Sequence, residues 1–110
     1  MSCQEAFTAA FLGLKAQGFR QAAIPDGPCA YRTPDGLKCA LGHLIPDDKY
    51  RPDMESWGVN DLLENQVLTP QGPRNLLYQL QAIHDTTPNP DKLQNRLRAF
   101  AAANHLEVPQ

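Results

Sequence analysis

The chain has 110 residues, a net charge of −2 and 42% hydrophobic residues. This length suits one domain over residues 1–110, and the apolar content argues against disorder. The charge lacks the basic excess of nucleic-acid-binding domains, and the apolar runs are too short to span a bilayer. Because the three cysteines have no disulfide spacing and the start lacks the pattern of a signal peptide, we expect a cytoplasmic protein.

The first predicted element is a helix near the start of the chain. Ser2 and Glu5 form the S-x-x-E pattern of a capping box. Gly18 is suited to end the helix, because glycine tolerates the left-handed conformation that follows many helix C-termini. The apolar residues between them recur at helical spacing and predict a core-facing stripe of Phe7, Ala10, Phe11 and Leu14.

A β-hairpin is predicted over about residues 29–45. In its turn, "TPDG", proline suits the second position and glycine can take a positive φ. A type I turn with a bulge pairs Thr33 with Leu37, so that Arg32 faces Lys38. Alternation then assigns one apolar face to Cys29, Tyr31, Leu37, Cys39 and Leu41, and the opposite face to Ala30, Arg32, Lys38 and Ala40.

Further helical segments follow the hairpin. "DMESW" favours a helical turn, and "NDLLENQVL" predicts a short helix capped by Asn60. Thr69 or Gly72, each followed by proline, would begin the next helix, and Asn89 with Pro90 begins the last. The apolar stripes of these two helices are Leu76, Leu77, Leu80 and Ile83, then Leu93, Leu97, Phe100 and Ala101. The expected fold class is α+β, predominantly helical, with one hairpin packed by three to four α-helices.

The predicted pairing places two like charges opposite each other, Arg32 and Lys38, and such charges repel. An acid between them would relieve the repulsion. Asp47 and Asp48 lie close to the strand end, whereas Glu55 follows a turn that could bring it back, so Glu55 is the better placed. Without such an acid the basic pair would be free to contact an acidic partner. The candidate binding residues are the charged and aromatic side chains of this region: Tyr31, Arg32, Lys38, Asp47, Asp48, Tyr50 and Glu55.

A metal site is an alternative interpretation of the same region. Cys29, Cys39, His43 and His84 could make a Cys₂His₂ zinc set, although the cysteines are much farther apart than the usual C-x₂₋₄-C. We therefore expect buried free thiols and no cofactor.

Two alternative functions stay open, an enzyme and a nucleic-acid-associated protein. The pair His84-Asp85 could serve acid–base chemistry or activate a cysteine, but neighbouring helical residues point about 100° apart. No catalytic residue is therefore predicted, and a small metal- or cysteine-dependent enzyme is kept as an alternative. A basic strip of Arg74, Lys92, Arg96 and Arg98 would suit a nucleic-acid-associated accessory protein, which the overall charge argues against.

Residues 29–50 carry the string C-A-Y-R-x-P-D-G-x-K-C-A-x-G-x-L-I-P-D-D-x-Y. This string resembles one found in short uncharacterised proteins of bacteriophages and prophages, which also carry a later "HD" like His84-Asp85. No activity is established for that family, so no site residues carry over. The resemblance implies a small cytoplasmic protein of mobile-element origin. We expect it to act non-enzymatically by binding a host protein, for example a component of host defence, and we expect no membrane partner.

Overall fold

The computed structural model describes residues 2–23, 30–70 and 72–109. Within these ranges the chain forms four α-helices, α1 Cys3–Ala16, α2 Val59–Glu64, α3 Arg74–Asp85 and α4 Pro90–Ala103. Two short 3₁₀ helices, Gly42–Leu44 and Pro52–Ser56, lie between α1 and α2. Helix α3 contacts α1, α2 and α4, and α1 also packs against the first 3₁₀ helix. Helix α3 is therefore the central element of the fold.

Both ends of α1 form as predicted. The Ser2 hydroxyl accepts the backbone N–H of Glu5 at 3.1 Å, and the Glu5 carboxylate accepts the backbone N–H of Ser2 at 3.2 Å. At the other end Gly18 has φ +70°, and the N–H of Phe19 donates to the carbonyl of Leu14 at 2.8 Å. This bonding is a Schellman motif, which satisfies carbonyls that the helix end would leave free.

The predicted α+β class and its hairpin over residues 29–45 are wrong. Among the described residues the strand pairing is a single isolated antiparallel bridge, Arg32 with Lys38. Around it, the N–H of Thr33 donates to the Leu37 carbonyl at 2.8 Å, so the predicted turn and its register are present. Cys29, predicted at the start of the hairpin, lies outside the described residues.

The ladder stops at Tyr31 and Cys39 because their backbone groups have other partners. The N–H of Cys39 still donates to the Tyr31 carbonyl at 3.3 Å. The return bond is missing, since the Tyr31 N–H donates to Glu55 at 2.8 Å and the Cys39 carbonyl accepts from His43 at 3.2 Å. Ala30 donates instead to Ala22 at 2.8 Å. Ala30 and Ala40, which were assigned to the face opposite the apolar one, are both buried.

The later helices are confirmed, with corrections at two of their starts. Asn89 caps α4 as predicted, accepting the N–H of Lys92 at 3.0 Å. Helix α2 is capped at Gly58 and not at Asn60, because the Asp61 carboxylate reaches the Gly58 N–H at 3.0 Å. Helix α3 begins at Arg74, after both predicted starts. The cap is Pro73, whose ψ of 142° is extended, so this proline precedes the helix and does not occupy its first position.

The core forms where α1, α3 and α4 meet the first 3₁₀ helix. The predicted stripes supply it, with Ile83 and Phe100 partly buried. The largest fully buried side chains include Phe7, Phe11, Leu14, Leu77, Leu80, Leu93 and Leu97, and residues 41–54 add Leu41, Leu44 and Met54. No helix in the described ranges is long and apolar enough to cross a membrane.

Candidate functional site

Asp47 separates the two basic side chains of the turn. Its Oδ1 lies 2.8 Å from Nη2 of Arg32 and 3.7 Å from Nζ of Lys38. The like-charge pair therefore exists, and an acid from the following segment lies between its members, as the sequence suggested. That acid is Asp47 and not Glu55, which sequence position had favoured. The Asp47 side chain is 85% exposed, so solvent screens both contacts strongly.

Glu55 does not contact the two basic side chains through an ion pair; its carboxylate accepts hydrogen bonds from backbone N–H groups. One carboxylate oxygen accepts the N–H of Tyr31 at 2.8 Å, and the other accepts the N–H of Arg32 at 3.1 Å. The second oxygen also accepts the hydroxyl of Tyr50 at 2.5 Å. Partial burial, and then this bond to Glu55, raise the pKa of Tyr50 to about 12. Glu55 thus joins the second 3₁₀ helix to the arm that precedes the turn.

Arg32 is fixed from several sides. Its Nη2 donates to the Ile45 carbonyl at 2.8 Å, in addition to the contact with Asp47. The guanidinium lies 4.5 Å from the centroid of the Tyr50 ring, within cation–π distance. Its Nε is buried and has no hydrogen-bond partner among the described residues. Arg32 therefore acts as a structural link, and its side chain is only 19% exposed.

The predicted binding residues thus come together, apart from one. We call the connected group of Tyr31, Arg32, Lys38, Asp47, Tyr50 and Glu55 the Glu55 surface. Asp48 is exposed and makes no hydrogen bond or ion pair within the described ranges. It lies at the edge of a neighbouring hollow that also contains Lys49, Arg51 and Trp57.

Sequence reasoning missed Gln17, which holds the turn against α1. Its side-chain oxygen accepts the N–H of Lys38 at 3.1 Å, and its nitrogen donates to the Lys38 carbonyl at 2.7 Å. The same oxygen is 3.0 Å from Nε2 of His43. Since an amide oxygen can only accept, His43 donates from Nε2. A polar residue just past the end of a helix has no signal in the sequence that would reveal these contacts.

Three of the alternative metal ligands, Cys39, His43 and His84, are described, and they do not form a metal site. The described residues contain no group of three His, Cys, Asp or Glu side chains that could hold a metal ion. Cys39 is fully buried, and burial raises the pKa of its thiol to about 12. Burial, and then the positive charges of Lys38 and Arg32, lower the pKa of His43 to about 4. Cys29, the remaining residue of the proposed set, lies outside the described residues.

His84 and Asp85 do form a bonded pair, contrary to the prediction that Asp85 is poorly placed. The Nδ1 of His84 lies 2.9 Å from Oδ1 of Asp85. The angle of about 100° describes only the directions in which the two Cα–Cβ bonds leave the helix. The side chains bend back towards each other beyond Cβ, so that the two atoms meet. The Nε2 of His84 accepts the backbone N–H of Ala22 at 3.1 Å, so Nδ1 carries the proton and donates to Asp85.

This pair joins the segment after α1 to the end of α3. His84 is fully buried, and Gln21 donates to the carbonyls of both His84 and Asp85 at 3.0 Å. Because each ring nitrogen of His84 already has a partner within the protein, neither is open to a metal or a substrate.

An open cleft of about 380 Å³ lies beside the Glu55 surface. Its polar and aromatic lining residues come from distant parts of the chain: Tyr31, Glu55, Trp57, Tyr78, Gln81 and Asp85. The Tyr31 hydroxyl donates to the Trp57 carbonyl at 2.5 Å, and this bond fixes the floor. We call this feature the aromatic cleft. Sequence reasoning did not identify the aromatic cleft. Tyr78 was the available signal, because it is an aromatic residue of α3 that does not belong to the leucine stripe.

The four bases of the suggested strip do not share one face. Lys92 and Arg96 are one turn apart on α4, and Arg96 donates to the hydroxyls of Thr86, at 2.9 Å, and Thr87. Arg98 lies two residues farther, about 200° around the helix, with its guanidinium 5.6 Å from the Phe11 ring centroid. Arg74 is the first residue of α3.

Comparison of the chain with protein-family models, with curated proteins and with solved structures finds no match.

Proposed function

We propose that this protein acts without catalysis, by binding a protein of a bacterial host through the Glu55 surface. The observation that carries the proposal is the connection of nearly all the predicted binding residues into one network. A hydrogen-bonded carboxylate, two cations and two tyrosines are held there in fixed positions. Preorganised side chains lose little conformational entropy on association, which favours a binding surface.

The state of the candidate catalytic groups supports binding over catalysis. A thiol with a pKa of about 12, such as that of Cys39, is a poor nucleophile at neutral pH. His84 is buried with both ring nitrogens bonded, so it cannot exchange protons with a substrate in this arrangement. These two groups, Cys39 and His84, therefore give no support to the enzyme alternative.

The likeness of residues 29–50 to bacteriophage and prophage proteins supports the choice of partner. A small protein of mobile-element origin that works in the cytoplasm of its host gains from binding host proteins, and components of host defence are suitable targets. The string supplies much of the Glu55 surface, because Tyr31, Arg32, Lys38, Asp47 and Tyr50 all lie within it.

Quantitative capture from bacterial lysate with matched variants tests the proposal. The double variant Lys38→Ala with Asp48→Ala removes one cation of the Glu55 surface and the exposed anion next to Asp47, just outside that surface. The double variant Lys92→Ala with Asp91→Ala removes the same two residue types from α4. We expect the first variant to lose the captured partner and the second to retain it, with both melting close to the unaltered protein. Equal capture by both variants would contradict the proposed surface.

A salt series with DNA and RNA tests the nucleic-acid alternative. Binding to phosphates weakens steeply as the salt concentration rises. We expect no such binding from a chain with net charge −2. Tight, salt-sensitive binding that is lost in Lys92→Ala with Arg96→Ala would replace the proposed function by the nucleic-acid one.

A further inference from the structure

We infer that the aromatic cleft receives a positively charged side chain, arginine or lysine, from the partner protein. This inference rests on the proposed function and deepens it, because it names the group that the partner inserts. It is carried by three independent features of the cleft, which are its size, its charge and its aromatic walls.

The size suits one side chain. The cleft of about 380 Å³ is near the lower end of the roughly 300–1,000 Å³ typical of ligand pockets. It lies beside the Glu55 surface and shares Tyr31 and Glu55 with it. A partner that covers the Glu55 surface would therefore have its neighbouring side chains within reach of the cleft.

The charge of the cleft is negative. Among the described residues its lining includes the carboxylates of Glu55 and Asp85 and no lysine, arginine or histidine. The guanidinium of Arg51 lies outside the lining, 5.9 Å from the centroid of the Trp57 ring. Burial raises the pKa of the Tyr31 hydroxyl, and the surrounding groups Cys39, Glu55, Asp85 and Asp61 raise it further. Of these groups the carboxylates of Glu55, Asp85 and Asp61 act together at the cleft, and their potential favours a cation over a neutral or anionic group. The Cys39 thiol, with its raised pKa, adds no charge at neutral pH.

Asp85 has a free position for a cation. Its Oδ1 accepts from Nδ1 of His84 at 2.9 Å and from Nε2 of Gln81 at 3.0 Å. Within the described residues no hydrogen bond reaches its Oδ2. Because His84 is buried and fixed, it holds the Asp85 carboxylate in position before a ligand arrives. Both oxygens of Glu55 are already occupied by Tyr31, Arg32 and Tyr50, so Glu55 contributes charge and Asp85 the direct contact.

The walls of the cleft are aromatic. Tyr78 is 45% exposed. Trp57 is half-buried at the same opening. Ring faces attract cations, and the planar guanidinium of arginine also stacks on them. An exposed tyrosine beside a tryptophan and a fixed carboxylate is the arrangement expected for recognising such a group.

The chain offers a direct readout, because Trp57 is its single tryptophan. Titration of the intact protein with Nα-acetylarginine amide and Nα-acetyllysine amide should change its fluorescence in a saturable way. Nα-acetylcitrulline amide has the shape of the arginine probe without its charge, and it should have little effect. Amide NMR shifts should cluster on Tyr78, Gln81 and Asp85. An equal response to the citrulline probe, or no saturable response to either cation, would overturn the inference.

Variants show which side chains of the aromatic cleft bind the cationic probes. Asp85→Asn removes the charge and keeps an oxygen for the His84 bond, and we expect it to weaken binding of both cationic probes at least about fivefold. Asp91→Asn makes the same chemical change on α4, outside the cleft, and should bind like the unaltered protein. Tyr78→Leu alters only an exposed wall, so it tests the inference even where Asp85→Asn is unstable. Unchanged probe binding in Tyr78→Leu would overturn the aromatic contribution.

The capture experiment separates failure of this inference from failure of the proposed function. If a partner is captured equally by the unaltered protein, Asp85→Asn and Tyr78→Leu, and is lost only in the Lys38 and Asp48 double variant, the cleft is not its anchor point. If the cationic probes bind as expected but no partner depends on the Glu55 surface, the proposed function fails and the cleft stands as a cation site.

Discussion

The backbone of Gly42 lies directly against the carbonyl of Tyr31. A Cβ atom at Gly42 would be 2.1 Å from the Tyr31 oxygen, which is far inside van der Waals contact. The N–H of Gly42 also donates to the Cys39 sulfur at 3.2 Å. The chain can therefore turn into the first 3₁₀ helix immediately after the bridge only because this position has no side chain.

Gly42→Ala should destabilise the protein by about 3 kcal/mol or more, because the clash involves backbone and cannot be relieved by a rotamer change. Gly58→Ala is the matched control, since a Cβ there would meet nothing within 4 Å. Its cost should not exceed about 1 kcal/mol, the loss expected at a helix N-cap. Urea melts of the two variants provide the comparison, and equal midpoints would show that the approach of Gly42 to Tyr31 is looser than described.

Glu55→Ala should cost more stability than Asp47→Ala. Loss of Glu55 leaves the N–H groups of Tyr31 and Arg32 without their acceptor, at about 1–2 kcal/mol. Loss of Asp47 removes only exposed ion pairs, worth less than about 1 kcal/mol. Denaturant melts measure both values. In a double-mutant cycle, Asp47 should couple weakly to Arg32. A larger loss of stability for Asp47→Ala than for Glu55→Ala would reverse the roles assigned to the two acids.

The Cys39 thiol should be almost inert in the folded protein. The thiolate is the nucleophile that attacks thiol reagents, and burial raises the pKa of Cys39 to about 12. In a chain carrying Cys3→Ser and Cys29→Ser, labelling should proceed only as fast as unfolding, and urea should accelerate it sharply. A chelator should have no effect on the native rate. In a chain that retains Cys29, rapid labelling of Cys39 that begins only after chelation would indicate a bound metal and revive the alternative ligand set.

His43 should make stability depend on pH in the mildly acidic range. Its pKa falls from 6.5 to about 4 on folding, first because of burial. As the pH falls below about 6.5, the unfolded chain binds a proton that the folded chain does not. The contribution is therefore complete above that pH and is lost progressively as the pH falls towards 4.

Urea melts at about pH 7.5 and about pH 5 measure this effect. The unaltered protein should lose more stability between the two conditions than His43→Gln, in which the titrating ring is absent and an amide can still donate to Gln17. Equal losses in both proteins would mean that other groups account for the acid sensitivity.

Local signals in the sequence determined the helices and the turn. The capping box of Ser2 and Glu5, the glycine after α1 and the Asn89 cap all act within a few residues, so they work in almost any tertiary setting. The leucine stripes of α3 and α4 likewise predicted the core. The turn register was also correct, because "TPDG" constrains the backbone on both sides of it.

Tertiary structure decided the rest of the site. An isolated two-stranded hairpin is marginally stable in water, so side chains from other elements can take over its backbone groups. Glu55 took the N–H of Tyr31, the N–H of His43 took the carbonyl of Cys39, and the ladder ended. Gln17 holds the backbone groups of Lys38 that face away from the opposite arm. The aromatic cleft depends on the same long-range packing, since Tyr31, Trp57, Tyr78 and Asp85 have no local pattern in common. Sequence spacing determines which residues share one helix face or one turn, whereas hydrogen bonds between distant segments depend on how those segments pack.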